Sequence, residues 1–399
     1  MDGALQNIRV LDMSRVLAGP WAGQLLGDFG ADVVKVERPG QGDDTRGWGP
    51  PWLGSEAAYY LSTNRNKRSI TVNLAQSHGQ ELIRELSGQA DVLLENFKVG
   101  TLARYGLDPH DLMEANPRLI VCSISAFGQT GSRSGDAGYD AMIQASGGLM
   151  SITGPANENG VGPQKVGVAI ADIMAGMYAA TAVLAALHAR ETTGLGQYID
   201  VPLYDSQVAW LANQNMNFLV GGTTPGRMGT AHPNLVPYQA FRTQDGNLML
   251  AVGNDRQFVS CVTCLGLPEL GEDPAYSTNA ARVENRAELI AAIQARLELD
   301  TTAAWLEKLA AERVPAGPIN DIAEVLTNAH ATERNLVRTV ENSAGDAVPI
   351  VSNPVSFSRT PVSYRIPPPL LGEHTEEVLR EWLGYSPPMI DTLRETAAI

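Results

Sequence analysis

Apolar residues in the first 125 positions fall in short blocks separated by amphipathic stretches, the rhythm of strands alternating with helices. Ile8–Met13 reads as a strand, Pro20–Phe29 as a helix stopped by Gly30, and Asp32–Val36 as a second strand, so the chain opens on a βαβ unit. The rhythm continues with a helix over Gly79–Leu86, a strand over Asp91–Leu94, a helix over Leu107–Ala115 with Asp108 as its candidate cap, and a strand over Leu119–Ile124. Such alternation implies a parallel sheet covered on both faces. The longest apolar run follows. It begins strand-like at Gly167, meets Asp172, and continues as a buried-looking helix through Leu187, ending near Arg190 with Gly194 and Gly196 in the turn. Gln197–Val201 reads as a strand, and Asp205 opens another long helix toward Phe218.

The texture then changes. Gly221–Pro237 is rich in Gly, Thr and Pro and reads as a linker or active-site loop. Tyr238–Val252 alternates as two strands around the hairpin signal Asp245-Gly246. Helices are expected over Arg256–Leu265, Ala287–Leu297, Thr302–Glu312 and Ile322–Thr327, an extended Pro-rich stretch over Val348–Pro369, and a last helix over Glu376–Leu383. The expected division is a large domain in residues 1–223, a small α+β domain in 224–339, and a return segment, 340–399, that completes the large domain.

The composition, 44% hydrophobic and 18% charged in 399 residues, is that of a core-forming chain. A net charge of −15 argues against nucleic acid as partner but permits an anionic small ligand held by a local basic cluster. Cys122, Cys261 and Cys264 make no disulfide framework and fit a reducing compartment; the C-x-x-C lies mid-helix without further metal ligands, so buried helical cysteines are expected. The opening Met-Asp-Gly-Ala-Leu-Gln has no signal-peptide pattern, and Ile173–Leu187 is shorter than the ~20 residues a bilayer requires. A cytoplasmic protein is expected, or one of another reducing compartment such as the mitochondrial matrix after loss of a transit peptide.

No G-x-G-x-x-G occupies the first turn (Ser14 to Gly23), and neither a phosphate-binding P-loop, a G-x-S-x-G elbow nor a metal cluster is present. A basic cluster remains: Lys35, Arg38, Arg46, Arg65, Lys67, Arg68, Lys98 and Arg104. It reads either as a seat for a ligand with several phosphates or as solvated surface charge. Asp172, at a helix start, can cap the helix or, kept ionised by the free N–H groups and the dipole, attack an electrophile.

Several segments, in this order, resemble the class III coenzyme A transferase (CaiB/BaiF) family along essentially the whole chain. They are Val10–Ser14 (VLDMS) with Ala18–Pro20, Gly30–Pro39 (GADVVKVERP), Asn64–Ser69 (NRNKRS), Asp91–Phe97 (DVLLENF), Ser125–Gly131 (SAFGQTG), Gly138–Asp140 (GYD), Ala171–Gly176 (ADIMAG) and Thr193–Gln197 (TGLGQ). The resemblance implies an α/β fold, with a Rossmann-like large domain and a smaller α+β domain, in an interlocked homodimer. It places the nucleophile at Asp172, which attacks the thioester carbonyl of an acyl-CoA to form a mixed anhydride as the CoA thiolate leaves. No permanent cofactor is implied, coenzyme A entering as substrate. It further implies a CoA site formed by Val16, Leu17, Arg38, Lys67, Val72, Asn96, Phe97 and Arg104, with the turn near Asn73.

Racemases of the same superfamily carry His-Asp where this chain has Tyr139-Asp140, and a phenol is a poor neutral-pH base, so transfer is favoured over racemisation, with Tyr139 bordering the acyl pocket. The glycine run of formyl-CoA:oxalate transferases is broken here, at Gly221–Gly229, which disfavours oxalate. Arg15 and Arg46 are candidates for holding the distal carboxylate of a dicarboxylate, Arg15 equally for a structural role under its loop, and Arg227, His232 and Asn234 lie in or just after the loop. The expected substrates are succinyl-CoA and a C4–C6 acid such as glutarate or itaconate; the alternatives are an α-methylacyl-CoA racemase and a non-catalytic CoA-binding partner. Nucleic acid and membrane are not expected partners.

Overall fold

The computed structural model describes residues 3–399. The chain divides into two compact units, one of Met1–Leu149, Lys165–Gly222 and Ala329–Ile399, the other of Met150–Gln164 and Thr223–Asn328.

In the first unit the elements run β1 (Arg9–Asp12), α1 (Ala18–Asp28), β2 (Asp32–Glu37), β3 (Lys67–Thr71), α2 (Ser77–Gln89), β4 (Val92–Glu95), α3 (Pro109–Ala115), β5 (Ile120–Ser125), α4 (Asp140–Ser146), α5 (Ile170–Thr193), β6 (Tyr198–Pro202), α6 (Leu203–Trp210) and α7 (Asn213–Gly221). The strands form one sheet in the order β3-β2-β1-β4-β5-β6, every pair parallel. That is the doubly wound dinucleotide-fold order, with its reversal between β1 and β4. One face is covered by α1 and α5 over Val10, Val33, Leu94 and Ile120, the other by α2 and C-terminal helices over Leu11, Val34, Leu93 and Val121. Apolar residues on either side of a strand thus find apolar cover, which is why the strands read as apolar blocks.

The second unit contains β7 (Tyr238–Arg242), β8 (Asn247–Ala251), α8 (Asp255–Cys264), α9 (Arg286–Leu297), α10 (Thr302–Ala311), β9 (Ala316–Pro318) and α11 (Ile322–Thr327). Its antiparallel sheet, in the order β9-β8-β7, packs Phe241, Leu248 and Leu250 against Phe258, Ile293 and Trp305. The hairpin expected around Asp245-Gly246 is the β7–β8 turn. The chain then re-enters the first unit through β10 (Val337–Glu341), β11 (Ala347–Val351), α12 (Thr375–Leu383) and α13 (Pro387–Glu395).

Two expected elements are revised. The helix from Asp205 toward Phe218 is broken, Ala212 taking φ +46° between α6 and α7. The apolar run at Ile173 belongs to a 24-residue helix, α5, long enough to cross a bilayer by length and composition. Ala171, Ala175, Ala179, Val183 and Ala186 bury one side of it in the core, while Met177 and Tyr178 are exposed. Gly176 permits a close crossing with α1, since a Cβ there would stand 2.5 Å from the Ala18 carbonyl oxygen. The N-termini of α1 and α5 are thereby brought together, with Asp172 one turn before the crossing and on its face.

Candidate active site

Ligands of open parallel sheets bind beyond the carboxyl ends of the strands, where the strand order reverses. Here that point lies between β1 and β4. The ladder extends one residue past β1, Met13 N–H donating to the Leu94 carbonyl at 2.8 Å. Asn96 then grips the backbone of Arg15 from both sides, accepting from its N–H at 2.8 Å and donating to its carbonyl at 2.7 Å. The next residue, Val16, is held at φ +70°, a conformation that costs a β-branched residue about 1–3 kcal/mol. Its N–H points at both oxygens of Asp43, at 3.3 Å. Asp43 is itself buried on the Lys35 ammonium at 2.8 Å. Burial opposes its charge, but Lys35 and the Thr45 hydrogen bonds prevail and hold its carboxyl near 2.

This loop forms one wall of a cavity of about 230 Å³, lined by Arg15, Val16, Leu17, Ala18, Asp44, Asn96, Phe97, Lys98, Tyr139 and Asp172 among others. Asp172 is half-buried on the first turn of α5. Among the described residues its carboxylate has no hydrogen-bond partner. The cap expected of it is absent: the backbone of the first turn is held by Asp140, whose Oδ1 accepts from Ala171 N–H at 2.8 Å. Nor is it held fully ionised by the helix start. Burial, and then the charge of Asp140, raise it from 3.8 to about 7. A carboxylate free of partners, at a helix start and open to a cavity, is available to bond to carbon.

A second cavity of about 420 Å³ lies beside the first and shares Arg15, Asp44 and Phe97 with it. Arg38, Val72, Asn73, Thr101 and Tyr105 line its remainder. The two make a groove long enough for an extended ligand. Arg15 stands between them, its guanidinium 3.2 Å from Asp44 and 5.6 Å from the centre of the Phe97 ring. Arg104 is exposed on the helical turn that contributes Thr101, to whose hydroxyl it donates at 3.0 Å.

Two residues expected to meet ligand do not reach the groove. Lys67 is fully buried in β3, donating to Asp12 and the Pro20 carbonyl at 2.9 Å and to Asn64 at 3.0 Å. Arg46 is buried on Glu37, Glu56 and Tyr60, at 2.7, 2.8 and 2.6 Å, and donates to the Pro369 carbonyl. Their charges neutralise core carboxylates. Arg227 and His232 belong to the second unit. There Arg227 donates to the Pro155 and Val161 carbonyls, and the His232 ring stacks on Tyr238 while its Nδ1 accepts from Asn234 N–H.

The structure adds residues that sequence reasoning passed over. Asp140 was visible only within the GYD segment and as the neighbour of Tyr139 where racemases carry His-Asp, with no role assigned to it, and Gln144, which braces it, carried no signal. Asp43 and Asp44 sit in a polar stretch that reads as an ordinary turn. Tyr59 lies near enough to Asp172, Asp140 and Asp43 for their charges to add to the effect of burial in raising its phenol.

Comparison with known proteins follows the same line. The sequence model of "CoA-transferase family III" matches residues 5–375. The chain is 46% identical to the succinate–glutarate CoA-transferase of Agrobacterium fabrum, over 98% of this chain and 97% of that one. It is 44% identical to the human succinyl-CoA:glutarate CoA-transferase, over 99% and 90%. Among solved structures it resembles a CAIB/BAIF family protein from Brucella suis, with a TM-score of 0.84 and 44% identity, covering 96% of this chain and all of that one.

Proposed function

The chain belongs to CoA-transferase family III, and on that premise we propose that it moves CoA reversibly between succinyl-CoA and a C4–C6 dicarboxylate such as glutarate, with Asp172 as the nucleophile. The observation that carries this reading is the Asp172 carboxylate, without a hydrogen-bond partner among the described residues, facing a cavity that adjoins a second one lined by Arg15 and Arg38. In the first step an Asp172 oxygen attacks the thioester carbonyl carbon. The C–S bond breaks, CoA leaves as thiolate, and the acyl group stays on the enzyme as a mixed anhydride. The thiolate attacks the aspartyl carbonyl and expels the first acid. The second acid then displaces the thiolate to form a new anhydride. Return of the thiolate to the new acyl carbon releases product and restores the carboxylate. Each step keeps an activated acyl bond, so the sequence requires no nucleotide triphosphate.

The CoA portion lies along the groove. Its nucleotide end meets Arg38, Val72, Asn73 and Phe97, with Arg104 reaching from the adjoining turn, and its thioester end meets Val16, Leu17 and Asp172. Tyr139 borders the acyl group. Incubating the protein with succinyl-CoA and a panel of mono- and dicarboxylates, with the CoA esters identified by mass spectrometry, tests the reading; no new ester from any acid would overturn it.

Arg15 is assigned the distal carboxylate of the acyl group. Its ion pair with Asp44 is half exposed, and such pairs contribute about 0–1 kcal/mol, so a bound carboxylate can replace it. Arg15→Ala should raise KM for glutarate about tenfold or more, as expected for losing a charged hydrogen bond, and leave KM for a monocarboxylate of equal length within about twofold. Equal KM values for glutarate in both proteins would remove Arg15 from that role.

The protein forms a homodimer. Support comes from the apolar faces left open on α5 and α7, where Met177, Tyr178, Met216 and Phe218 are exposed and Leu219 and Val220 remain 71% and 81% exposed. A second copy is the occupant that the family resemblance implies. Light scattering should give twice the 42.6 kDa chain mass, and Leu219→Asp combined with Val220→Asp should shift the population toward monomer. Three free cysteines support a reducing compartment such as the cytoplasm.

A further inference from the structure

We infer that Asp140 is a positioning residue for the nucleophile: it fastens the first turn of α5 from outside the helix and places its own charge beside Asp172. This rests on the reading of Asp172 as nucleophile.

Tyr139 and Asp140 open α4 and divide its work. Tyr139 is 68% exposed on the cavity wall, whereas Asp140 is buried and turned toward α5. Asp140 Oδ1 accepts from Ala171 N–H at 2.8 Å, the peptide immediately before Asp172. Its Oδ2 accepts from Gln144 Nε2 at 2.7 Å, an i,i+4 bond along α4. Gln144 is buried and uses its single amide oxygen to accept from Val166 N–H at 2.8 Å. Gln207 Nε2 on α6 donates to the Ile143 carbonyl at 2.9 Å and holds α4 in place. One carboxylate and one amide thus secure both the approach to α5 and its first turn, where no residue of the helix's own N-terminus supplies a cap.

The arrangement has a second effect. A carboxylate next to another carboxylate resists ionisation. The remaining titratable groups near Asp172 are Tyr59 and, on the cavity wall, Arg15, Asp44, Lys98, Asp136 and Tyr139. Of the elements packed on α5, α1 offers Asp28 at its far end, α6 Tyr204 and Asp205, β5 Cys122, and β6 Tyr198 and Asp200. Asp140 is the one whose charge adds to burial in raising Asp172. The residue that aims the nucleophile therefore also delays its ionisation, so that part of the population is uncharged near neutral pH.

The experiment compares wild type, Asp140→Asn, Asp140→Ala and Gln144→Ala in kcat and KM from pH 5.5 to 9, using succinyl-CoA and the acid that the wild type accepts. Asp140→Asn keeps an acceptor oxygen for Ala171 but loses the charge. Its acid limb of kcat/KM should move down by about one pH unit or more, so that below pH 6 it equals or exceeds the wild type. Asp140→Ala loses the tether as well and should drop kcat at pH 8 about 10- to 100-fold, with KM within about threefold. Gln144→Ala keeps the charge and should lower kcat with the limb unmoved. A limb for Asp140→Asn that coincides with wild type, or wild-type kcat in Asp140→Ala, would overturn the inference. Should the Asp140 variants not fold, Gln144→Ala decides alone: reduced kcat with an unmoved limb supports the inference and wild-type kcat refutes it. Exchange persisting in Asp172→Ala would instead sink the underlying reading.

Discussion

Asp172→Ala is expected to abolish CoA exchange, lowering kcat by about 10⁴-fold or more, while acyl-CoA binding stays near wild type. Removing the nucleophile leaves no route to the anhydride, and the groove that seats the nucleotide is built from other elements. Steady-state exchange and equilibrium binding of a non-reactive CoA ester would separate the two effects. Retained exchange would mean that another group accepts the acyl chain. The wild-type rate should also carry the titration of this carboxyl. Its value is raised by burial and by Asp140 to about 7, so the attacking form appears only as pH rises, and kcat/KM should climb through pH 7 and level above it. Stability should run the other way. A carboxyl raised in the folded protein contributes stability that is complete below its unfolded value of 3.8 and is lost as pH rises through about 7. The full displacement corresponds to about 4 kcal/mol, lessened by the share of Asp172 that water reaches. Asp172→Asn should therefore melt higher than wild type at pH 8 and no higher at pH 4.

Lys67→Met is expected to destabilise the protein by about 3–5 kcal/mol and leave KM for succinyl-CoA unchanged. Lys67 and Asp12 are both fully buried, 2.9 Å apart at the heart of the first unit. Burial opposes either charge. For Asp12 the two lysines and Ser14 overcome it and hold the carboxyl below its ordinary value; for Lys67 burial prevails and brings the ammonium down to about 8. Deleting the lysine leaves Asp12 ionised or forces it to take a proton, either of which costs stability. Asp12→Leu combined with Lys67→Met removes both charges and should recover much of the loss. Denaturant unfolding alongside KM measurement checks this. A raised KM with unchanged stability would return Lys67 to the CoA site.

How far the fold could be read from sequence follows from which interactions decide each element. β1, β2, β4, β5 and β6 each turn apolar residues toward both faces of the sheet, and the cap at Asp108 is local, its side chain accepting from His110 N–H at 2.9 Å. Local rules suffice for such elements. β3 escaped because Lys67 and Arg68 make it look like a charged loop. The charges are answered only in three dimensions, Lys67 by Asp12, and Arg68 by Asp32, Glu377 and Glu381. The same distance effect misplaced Arg46, whose acidic partners lie on β2 and at Glu56. In the site, Asp172 stood out by its position before an apolar helix, and the structure sets it on a cavity wall; its proposed role as nucleophile rests on the family resemblance. Its raised pKa was not legible, because that depends on burial in the folded chain and then on Asp140, 32 positions earlier and brought alongside by the fold. The helix α13 escaped too, since its short amphipathic pattern follows two prolines and gains its cover from Leu86 and Val378 in the core.

Asn66, Ser69 and Asn73 wait through most of synthesis for their partners. Asn66 N–H donates to the Ile366 carbonyl, His374 N–H to Ser69, and Asn73 N–H to the Ala398 carbonyl, each across some 300 residues or more. At roughly 5–20 residues per second, the ribosome needs on the order of 15–60 s to deliver them. Until then Ile70, Leu82 and Leu86 lack the cover of Val378, Trp382 and Ile390. Most of the second unit, Thr223–Asn328, is continuous in sequence and is free to fold during that interval. Order of completion is thus the reverse of order of synthesis: the part made first closes last. Contacts of such long range make unaided refolding slow.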